Sequence, residues 1–435
     1  MAIKDLLQHS DVILRPDPTR TVIRPFELGY PGRFASGPSR VQVIVDRITA
    51  LDDARLEFEL QGVTRSLDER HRDVDALLLR RFDEIAKIIT TPGDVSAKQQ
   101  RLIGAYFSEE YSFEAAALFN PSAVPHPDQS GVPDGAIRFV LSLRGIGEGH
   151  VSSVAFRTGT WTPGANGSGA SGGVEVDPPC PSAVPPMIEV EDETDGRVRL
   201  DCSGSRSISE TVLFPILPRQ HQGIEDVRLV LFTEEDGSTR YYGTYTAFSG
   251  TDAKPELLTA TGLSSFEMRP LTGDAADAKG MALFPRRVNG QFLMLGRQDS
   301  ESIWLHRSDD LYRWNGGAKL VSPRYPWEFV QMGNCGSPIE VDEGWLVFTH
   351  GVGTVRNYCM GACLLDKADP SKLLARTPDP ILEPGPTERD GYVPNVVYGC
   401  GALLHGRDLL IPYGVADNFA TFATTTVDKL LGAME

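Results

Sequence analysis

A short strand pattern recurs through the larger, C-terminal part of this chain. Each copy is an apolar run that ends abruptly in a polar or glycine-containing cluster, and five copies occupy residues 139–144, 241–247, 292–297, 345–350 and 409–414. The later copies lie roughly 50 residues apart, and a repeat of that length built of short strands is typical of a four-stranded propeller blade. The sequence therefore predicts a mainly β fold, a five-bladed β-propeller.

The first interval between copies is longer than the others because a segment rich in Gly, Ser and Pro, residues 160–207, interrupts it. Residues 164–173 consist almost entirely of Gly, Ala, Ser and Asn, a composition that favours a flexible chain. We expect an exposed loop without a function of its own here. The alternative is a lid over the mouth of the propeller channel.

The N-terminal region has a different pattern. Residues 11–14 and 41–45 are strand-like, whereas after Leu67 apolar residues recur at intervals of three and four, and a second helical stretch covers residues 96–106. We expect two or three helices in this part. The predicted organisation is an N-terminal strand and helical extension over residues 1–115, followed by the propeller over residues 116–435.

Composition and charge exclude several classes of protein. Of the 435 residues 41% are hydrophobic and 23% charged, and no apolar run approaches the roughly 20 residues that a membrane-spanning helix needs. The net charge of −17 argues against nucleic acid and anionic membranes as partners. The six cysteines lack CxxC spacing, and the first residues turn polar before an apolar signal core can form, so we expect reduced thiols and a cytoplasmic location.

A cluster of charges lies where one predicted strand begins. Glu225, Asp226 and Arg228 directly precede the apolar run 229–232. A neighbouring guanidinium lowers the pKa of a carboxyl group and burial raises it, so these residues are either a structural ion pair or a tuned catalytic acid.

In a propeller, equivalent strand ends converge on one funnel. The polar residues expected in this funnel are Asn120, Arg144, Glu148, His150, Asp226, Arg228, Lys279, Arg297, His350 and Asp417. Carboxylates and amides suit a polyhydroxylated neutral ligand, and Arg, Lys and His suit an adjacent anion, so a sugar with a phosphate fits both halves.

Each member of this set also has a structural explanation. Lys279 suits a strand edge, and His350 suits a turn in which the backbone satisfies its ring. Arg144 and Arg297 end apolar strands at equivalent positions, where a charge needs an anionic partner, but an internal Asp could serve as that partner.

Other site types find little support in the sequence. The histidines show no metal-ligand spacing, and EF-hand, Walker and GxSxG patterns are absent from the sequence. We therefore predict neither a metal nor an organic cofactor.

Several separate motifs together resemble glycoside hydrolase family 130. They occupy residues 117–121, the strand ending in Arg144, and residues 223–228, 242–247, 283–286, 344–352 and 393–397, and they follow the family's order. The resemblance covers about residues 116–430. It implies a five-bladed propeller that acts on β-mannosides, in most members as an inverting phosphorylase and in some as a hydrolase. The N-terminal part resembles the extension of longer members, some of which process β-1,2-linked oligomannans.

The resemblance also implies roles for individual residues. Asp226 matches the catalytic acid, which is thought to protonate the glycosidic oxygen through a sugar hydroxyl. Asn120, Arg144 and Asp417 match contacts to the mannosyl unit, and Glu225 and Asp390 are expected to bind substrate beside them. Residues Lys279, Arg297 and His350 match the phosphate site. Gln331 stands where many phosphorylases carry a lysine, which removes one cation from that site.

The expected activity is therefore inverting phosphorolysis of β-mannosides to mannose 1-phosphate, with inorganic phosphate as co-substrate and no cofactor. One alternative is an inverting β-mannosidase in which Glu328, Glu388 or Asp390 activates water. Another is a carbohydrate-binding propeller without catalysis. The N-terminal helices are a candidate surface for a homo-oligomer.

Overall fold

The computed structural model describes residues 6–26, 28, 39–90, 94–164, 173–192, 195–386 and 388–435. The chain divides into two compact units. The larger comprises Met1–Pro18, Phe113–Cys180 and Val184–Glu435, and the smaller comprises Thr19–Ser112 and Pro181–Ala183. Most of the glycine-rich loop predicted at residues 164–173 lies outside the described residues.

Strands predominate over helices. In chain order the strands are β1 (Gln8–His9), β2 (Thr21–Pro25), β3 (Ser108–Ser112), β4 (Ala117–Pro125), β5 (Ile137–Ile146), β6 (Ser152–Trp161), β7 (Val174–Val176), β8 (Met187–Asp192), β9 (Arg197–Asp201), β10 (Val212–Leu213), β11 (Gly223–Thr233), β12 (Thr239–Phe248), β13 (Ala253–Thr261) and β14 (Ser265–Pro270). They continue with β15 (Ala282–Leu283), β16 (Phe292–Gly296), β17 (Ile303–Ser308), β18 (Ala318–Val321), β19 (Gln331–Asn334), β20 (Ile339–Val341), β21 (Gly344–Val352), β22 (Tyr358–Leu365), β23 (Leu373–Arg376), β24 (Val397–Tyr398), β25 (Leu403–His405), β26 (Asp408–Val415) and β27 (Phe419–Thr426). The α-helices are α1 (Arg40–Thr49), α2 (Asp53–Leu67), α3 (Val74–Ala86), α4 (Ala97–Tyr106) and α5 (Val427–Leu431).

Within the described residues, the larger unit contains five successive antiparallel groups of four strands. Their orders are β4-β5-β6-β7, β11-β12-β13-β14, β15-β16-β17-β18, β19-β21-β22-β23 and β24-β26-β27-β1. A parallel pairing of Gly223 with Ser152 joins the first two groups into one larger sheet. The predicted mainly β class is confirmed. The five sequence repeats fall on β5, β12, β16, β21 and β26, so each repeat is the second strand of its group.

The N-terminal residues complete the last of these groups. Gln8 and His9 of β1 pair with Thr424 and Ala423 of β27, and Leu14 exchanges backbone hydrogen bonds with Ala420. The sequence predicts this segment as part of the N-terminal extension. The structure includes it in the larger unit, because the outer edge of β27 offers backbone groups that need partners and residues 8–14 supply them.

The smaller unit holds α1 to α4 and the antiparallel pair β2–β3. The prediction of a strand at residues 41–45 is wrong, since this segment lies within α1. The Ser39 hydroxyl caps that helix by accepting from the Gln42 amide at 3.1 Å, and Val45 and Ile48, three residues apart, are buried on one face. The predicted helical stretches correspond to α3 and α4, the latter opened by a capping box of Ser96 and Gln99.

The core of the larger unit lies between neighbouring strand groups. All nine residues of β21 are buried, so both faces of this strand are covered. Phe232 of β11 packs against Phe292 of β16 with ring centroids 5.6 Å apart, which links the second group to the third. No helix in the described ranges is both long and apolar enough to cross a membrane.

Candidate active site

Asn120 and Asp226 lie where two strands break their regular pairing. The register of β4 shifts between Phe119 and Ser122, and that of β11 shifts between Glu225 and Arg228. At these bulges Asn120 has a φ of 49° and Asp226 a φ of 54°, both in the left-handed region. Asn and Asp tolerate this region better than most residues. A bulge leaves its extra residue unpaired and re-aims the side chain, which explains how both residues leave the strand ladder.

Asp226 is held by residues of two neighbouring strands. Its Oδ1 accepts hydrogen bonds from Asn120 Nδ2 at 2.7 Å and from Arg144 Nη1 at 3.2 Å. The Asp226 side chain is 22% exposed, whereas that of Arg144 is 19% exposed and also donates from Nε to Ser152 Oγ at 2.9 Å. These contacts fix one carboxylate oxygen of Asp226.

Glu225 links two cations. Its Oε1 lies 2.7 Å from Arg144 Nη2 and its Oε2 lies 3.1 Å from Lys279 Nζ. The Glu225 side chain is 12% exposed and that of Lys279 is 46% exposed. Arg144 therefore serves both carboxylates, whereas Lys279 contacts Glu225 from the solvent side.

Arg228 supports Asp226 from the interior. Its Nη1 donates to the backbone oxygen of Asp226 at 3.2 Å, and its Nη2 donates to Tyr398 Oη at 2.7 Å. Burial lowers the pKa of Arg228, but the electrostatic interactions with Tyr398, Cys400 and Asp226 and the hydrogen bond to Tyr398 outweigh burial, so its pKa is raised. The sequence does not predict a role for Tyr398, because nothing in its local sequence marks it as a partner of a residue 170 positions away.

The protonation of Asp226 reflects two opposing effects. Burial raises the pKa of its carboxyl group, but the charges of Arg144 and Arg228 and the hydrogen bond from Asn120 outweigh burial. The pKa of Asp226 is consequently below its ordinary value. With these neighbours Asp226 is ionised at neutral pH.

Asp417 behaves in the opposite way. It lies in the turn between β26 and β27 with a φ of 48°. Burial and the charge of Asp226 raise the pKa of Asp417 to about 6, although Arg144 and Arg356 oppose the shift. The site thus contains two carboxyl groups whose surroundings separate their pKa values.

His350 is buried in β21 and surrounded by aromatic rings. Its ring centroid lies 5.0 Å from that of Tyr398 and 6.1 Å from that of Tyr358. Burial, followed by the charges of Arg297 and Arg228, lowers the pKa of His350 to about 3. His350 is therefore neutral at physiological pH and brings no charge to an anion.

Arg297 follows β16 directly and is half-buried. Within the part of the chain that the structure describes, its guanidinium has no ion-pair partner, in contrast to Arg144 and Lys279. Its charge nevertheless acts on His350. A half-buried cation with no acidic partner here is suited to hold an anionic ligand.

The remaining predicted residues differ in their placement. Asp390 is exposed, and none of its described contacts joins it to Asp226. The described hydrogen bond of His150 is with Tyr392, whose hydroxyl lies 3.0 Å from His150 Nδ1, and not with the charged cluster. Gln331 in β19 donates to Tyr358 Oη at 3.2 Å, next to His350.

Two of the carboxylates considered for activating water have structural partners. Glu328 is buried, forms an ion pair with Arg376 and accepts from the backbone amides of Arg324 and Tyr325. Glu388 accepts from the Gly385 amide at 3.0 Å. Among the described residues, no group of three or more His, Cys, Asp or Glu side chains could hold a metal ion.

Comparison with known proteins finds relatives of this chain. The family model of glycoside hydrolase family 130, described as β-1,4-mannooligosaccharide phosphorylase, matches residues 182–435. Over 201 residues the chain is 37% identical to a 1,2-β-oligomannan phosphorylase of Thermoanaerobacter sp. (strain X514). The aligned residues make up 45% of this chain and 66% of that protein. Over 233 residues it is 34% identical to a β-1,2-mannobiose phosphorylase of Listeria innocua, and this alignment covers 51% of this chain and 63% of that protein. These matches span less than two thirds of either relative.

The fold has a similar counterpart among solved structures. The complex of the Listeria innocua β-1,2-mannobiose phosphorylase with β-1,2-mannobiose superposes with a TM-score of 0.50 and 22% identity, over 73% of this chain and 92% of that one. At this identity the likeness concerns the fold alone. The family match covers more than half of the chain, and on that basis the chain belongs to glycoside hydrolase family 130.

Proposed function

We propose that this chain catalyses the inverting phosphorolysis of β-mannosides, with Asp226 as the acid and phosphate as the nucleophile. The observation that carries the proposal is that the site contains both a carboxylate held in place, Asp226, and a cation, Arg297, that has no acidic partner in the described residues. Asp226 is fixed by Asn120 and Arg144, and Arg297 is available for an anion. The named phosphorylase relatives support the same activity.

The proposed substrate is a β-1,2-linked manno-oligosaccharide. Both relatives described above are named for β-1,2-linked substrates, whereas the family model is described by a β-1,4 activity. On the protein side, Asn120 Oδ1 is buried and lacks a described hydrogen-bond partner. We assign this acceptor to a hydroxyl of the mannosyl unit, with Arg144, Glu225, Asp417 and Asp390 as further substrate contacts.

The phosphate site in this proposal consists of Arg297, Lys279 and His350. Arg297 and Lys279 provide the charges, and His350, neutral because its pKa is about 3, lies beside Arg297 without adding a charge. Phosphate is already an anion at neutral pH, so the protein must position it rather than remove a proton from water.

The reaction balances with hydrogen phosphate. One phosphate oxygen bonds to the anomeric carbon on the α face while the β-glycosidic bond breaks and its electron pair stays on the departing oxygen. Asp226 gives that oxygen a proton, through a sugar hydroxyl in this proposal. The proton of hydrogen phosphate replaces the one lost from Asp226, and the products are α-mannose 1-phosphate and the shortened saccharide.

We propose in addition that the five strand groups close into a five-bladed propeller. Two contacts between the first and last groups support closure, because Ser122 bridges to Gly401 in parallel and the Cys400 amide donates to Pro121 O at 2.8 Å. Pairing of β1 with β27 would then fasten the ring. A cytoplasmic location, the domain boundary at residues 115 and 116 and a homo-oligomer through the N-terminal helices stay predictions.

The test is incubation with β-1,2-mannobiose or longer oligomers, with and without phosphate. Mannose 1-phosphate formed only with phosphate is the expected result. Free mannose formed equally in both samples would identify a mannosidase and overturn the proposal. Binding without turnover under either condition would leave a carbohydrate-binding protein.

A further inference from the structure

The ionised state of Asp226 beside Arg144 and Arg228 conflicts with its proposed role as an acid. Arg144 and Arg228 keep its pKa low, yet the proposed reaction needs a proton on this carboxyl group. An event during binding must therefore weaken the hold of these cations on Asp226.

The chain of contacts from Lys279 to Asp226 provides such an event. Lys279 Nζ lies 3.1 Å from Glu225 Oε2, Arg144 Nη2 lies 2.7 Å from Glu225 Oε1, and Arg144 Nη1 lies 3.2 Å from Asp226 Oδ1. We infer that Glu225 is a positioning residue that couples the arrival of phosphate to the protonation of Asp226. This inference rests on the proposed function, since it takes Lys279 as a phosphate contact.

The exposure of Lys279 and Arg144 decides which of their ion pairs with Glu225 breaks when phosphate binds. The Lys279 side chain is 46% exposed, and an ion pair so open to solvent is weak and easily exchanged. The Arg144 side chain is 19% exposed and is also held by Ser152. Bound phosphate thus draws Lys279 away from Glu225, while Arg144 remains in place.

The electrostatic consequence follows from the charges that remain. Without Lys279, the negative charge of Glu225 is balanced by Arg144 alone, so the guanidinium offers less net positive potential to Asp226. The bound anion adds negative potential nearby. Both effects favour the protonated carboxyl group of Asp226, so the proton arrives together with the nucleophile.

Other groups also influence the charge of Asp226, and their contacts stay the same when phosphate binds. They are Asn120 on β4, Arg228 on β11, neutral His350 on β21, Tyr398 on β24, Cys400 after β24, and Asp417 in the turn after β26. Of these Asp417, whose pKa is about 6, is the competing site for a proton, and the test must separate it from Asp226.

The experiment measures proton uptake when an anion binds. Sulfate is the probe, because it is a dianion that does not titrate near neutral pH, and calorimetry in buffers of different ionisation enthalpy gives the protons taken up per sulfate. Between about pH 4 and 7 we expect wild-type protein to take up protons, approaching about one per sulfate at the most favourable pH. Glu225→Gln and Lys279→Met should lower that uptake at least about two-fold once sulfate is saturating.

Two controls define the outcome. Lys254→Met removes an exposed lysine that pairs with Asp277 outside the site, and it should retain the wild-type uptake. Asp226→Asn should abolish the uptake, and if it does not, the proton goes to another group such as Asp417 and the inference is wrong.

Wild-type uptake in both Glu225→Gln and Lys279→Met would also overturn the coupling, even if mannose 1-phosphate still forms. Absence of phosphate-dependent turnover together with absence of sulfate and phosphate binding would instead remove the proposed function itself. Circular dichroism and urea unfolding of each variant separate these outcomes from a failure to fold.

Discussion

Asn120 and Asp226, 106 positions apart in the chain, meet through a 2.7 Å hydrogen bond from Nδ2 to Oδ1, and both have a left-handed backbone at a strand bulge. This pairing joins the first strand of one group to the first strand of the next. Backbone strain of this kind costs on the order of 1 kcal/mol per residue and is concentrated at functional sites. The local irregularity of both strands is therefore part of how the site is built.

Replacing Asp226 by Asn should remove the acid while keeping its shape. We expect phosphorolysis to fall by about 10² to 10⁴-fold, the usual contribution of general acid catalysis. The rate of mannose 1-phosphate release measures this loss, and urea unfolding checks that the variant is folded. Full activity in Asp226→Asn would show that another residue is the acid.

At Asn120, backbone and side-chain effects can be separated by two substitutions. Both Asn120→Ala and Asn120→Gly remove the hydrogen bond to Asp226, so both should lose activity. Because φ is 49°, glycine adopts this conformation freely and alanine does not, and the glycine variant should be more stable by about 1 kcal/mol. Equal stability of the two variants in urea unfolding would contradict the proposed strain.

Arg297 is the cation expected to hold phosphate. Arg297→Gln should raise the KM for phosphate by about ten-fold or more, since a charge-assisted contact contributes on the order of 1.5–3 kcal/mol. The KM for the saccharide should change less. Arg313→Gln, an exposed arginine in the same strand group, is the matched control. If both variants keep the wild-type KM for phosphate, Arg297 is not part of the anion site.

Tyr398 is expected to support the site through Arg228. Tyr398→Phe deletes the hydroxyl 2.7 Å from Arg228 Nη2 and leaves a buried charged donor without this partner. We expect the free energy of unfolding to fall by about 1–3 kcal/mol, with reduced activity. Tyr392→Phe removes a hydroxyl from an exposed side chain and should cost far less. Similar losses in the two variants would argue against the role of Tyr398.

His350 should make stability depend on pH. Its pKa is lowered to about 3 in the folded chain, against about 6.5 when unfolded, so below pH 6.5 the unfolded chain binds a proton that the folded chain does not. The stabilisation from neutral His350 is therefore complete above about pH 6.5 and decreases as the pH falls toward 3.

Urea unfolding at pH 6.5 and pH 5 tests this linkage. Wild-type protein should lose about 1.6 kcal/mol more than His350→Gln between these two pH values. The comparison uses the change with pH rather than the absolute stabilities, because the substitution also alters packing. An identical pH dependence in both proteins would show that His350 titrates normally.

Much of the fold could be predicted from the sequence because it depends on local patterns. The repeated apolar runs identified β5, β12, β16, β21 and β26, and apolar spacing of three and four residues identified α3 and α4. Residues 41–45 show the limit of this approach, since a run rich in valine and isoleucine forms a helix when a cap and a buried face favour it. The expectation that Asp390, an exposed residue, binds substrate stays a prediction.

By itself the sequence determined the five repeated strands and the kinds of polar residue available near their ends, because hydrophobic patterns and residue types are local properties. Only the tertiary structure decided how the charges are distributed among them. Whether Arg144 serves one carboxylate or two, whether Lys279 is paired, and which of Asp226 and Asp417 holds a proton depend on distances between residues far apart in the chain. Because electrostatic effects fall with distance and grow with burial, the roles of these residues follow from the folded arrangement.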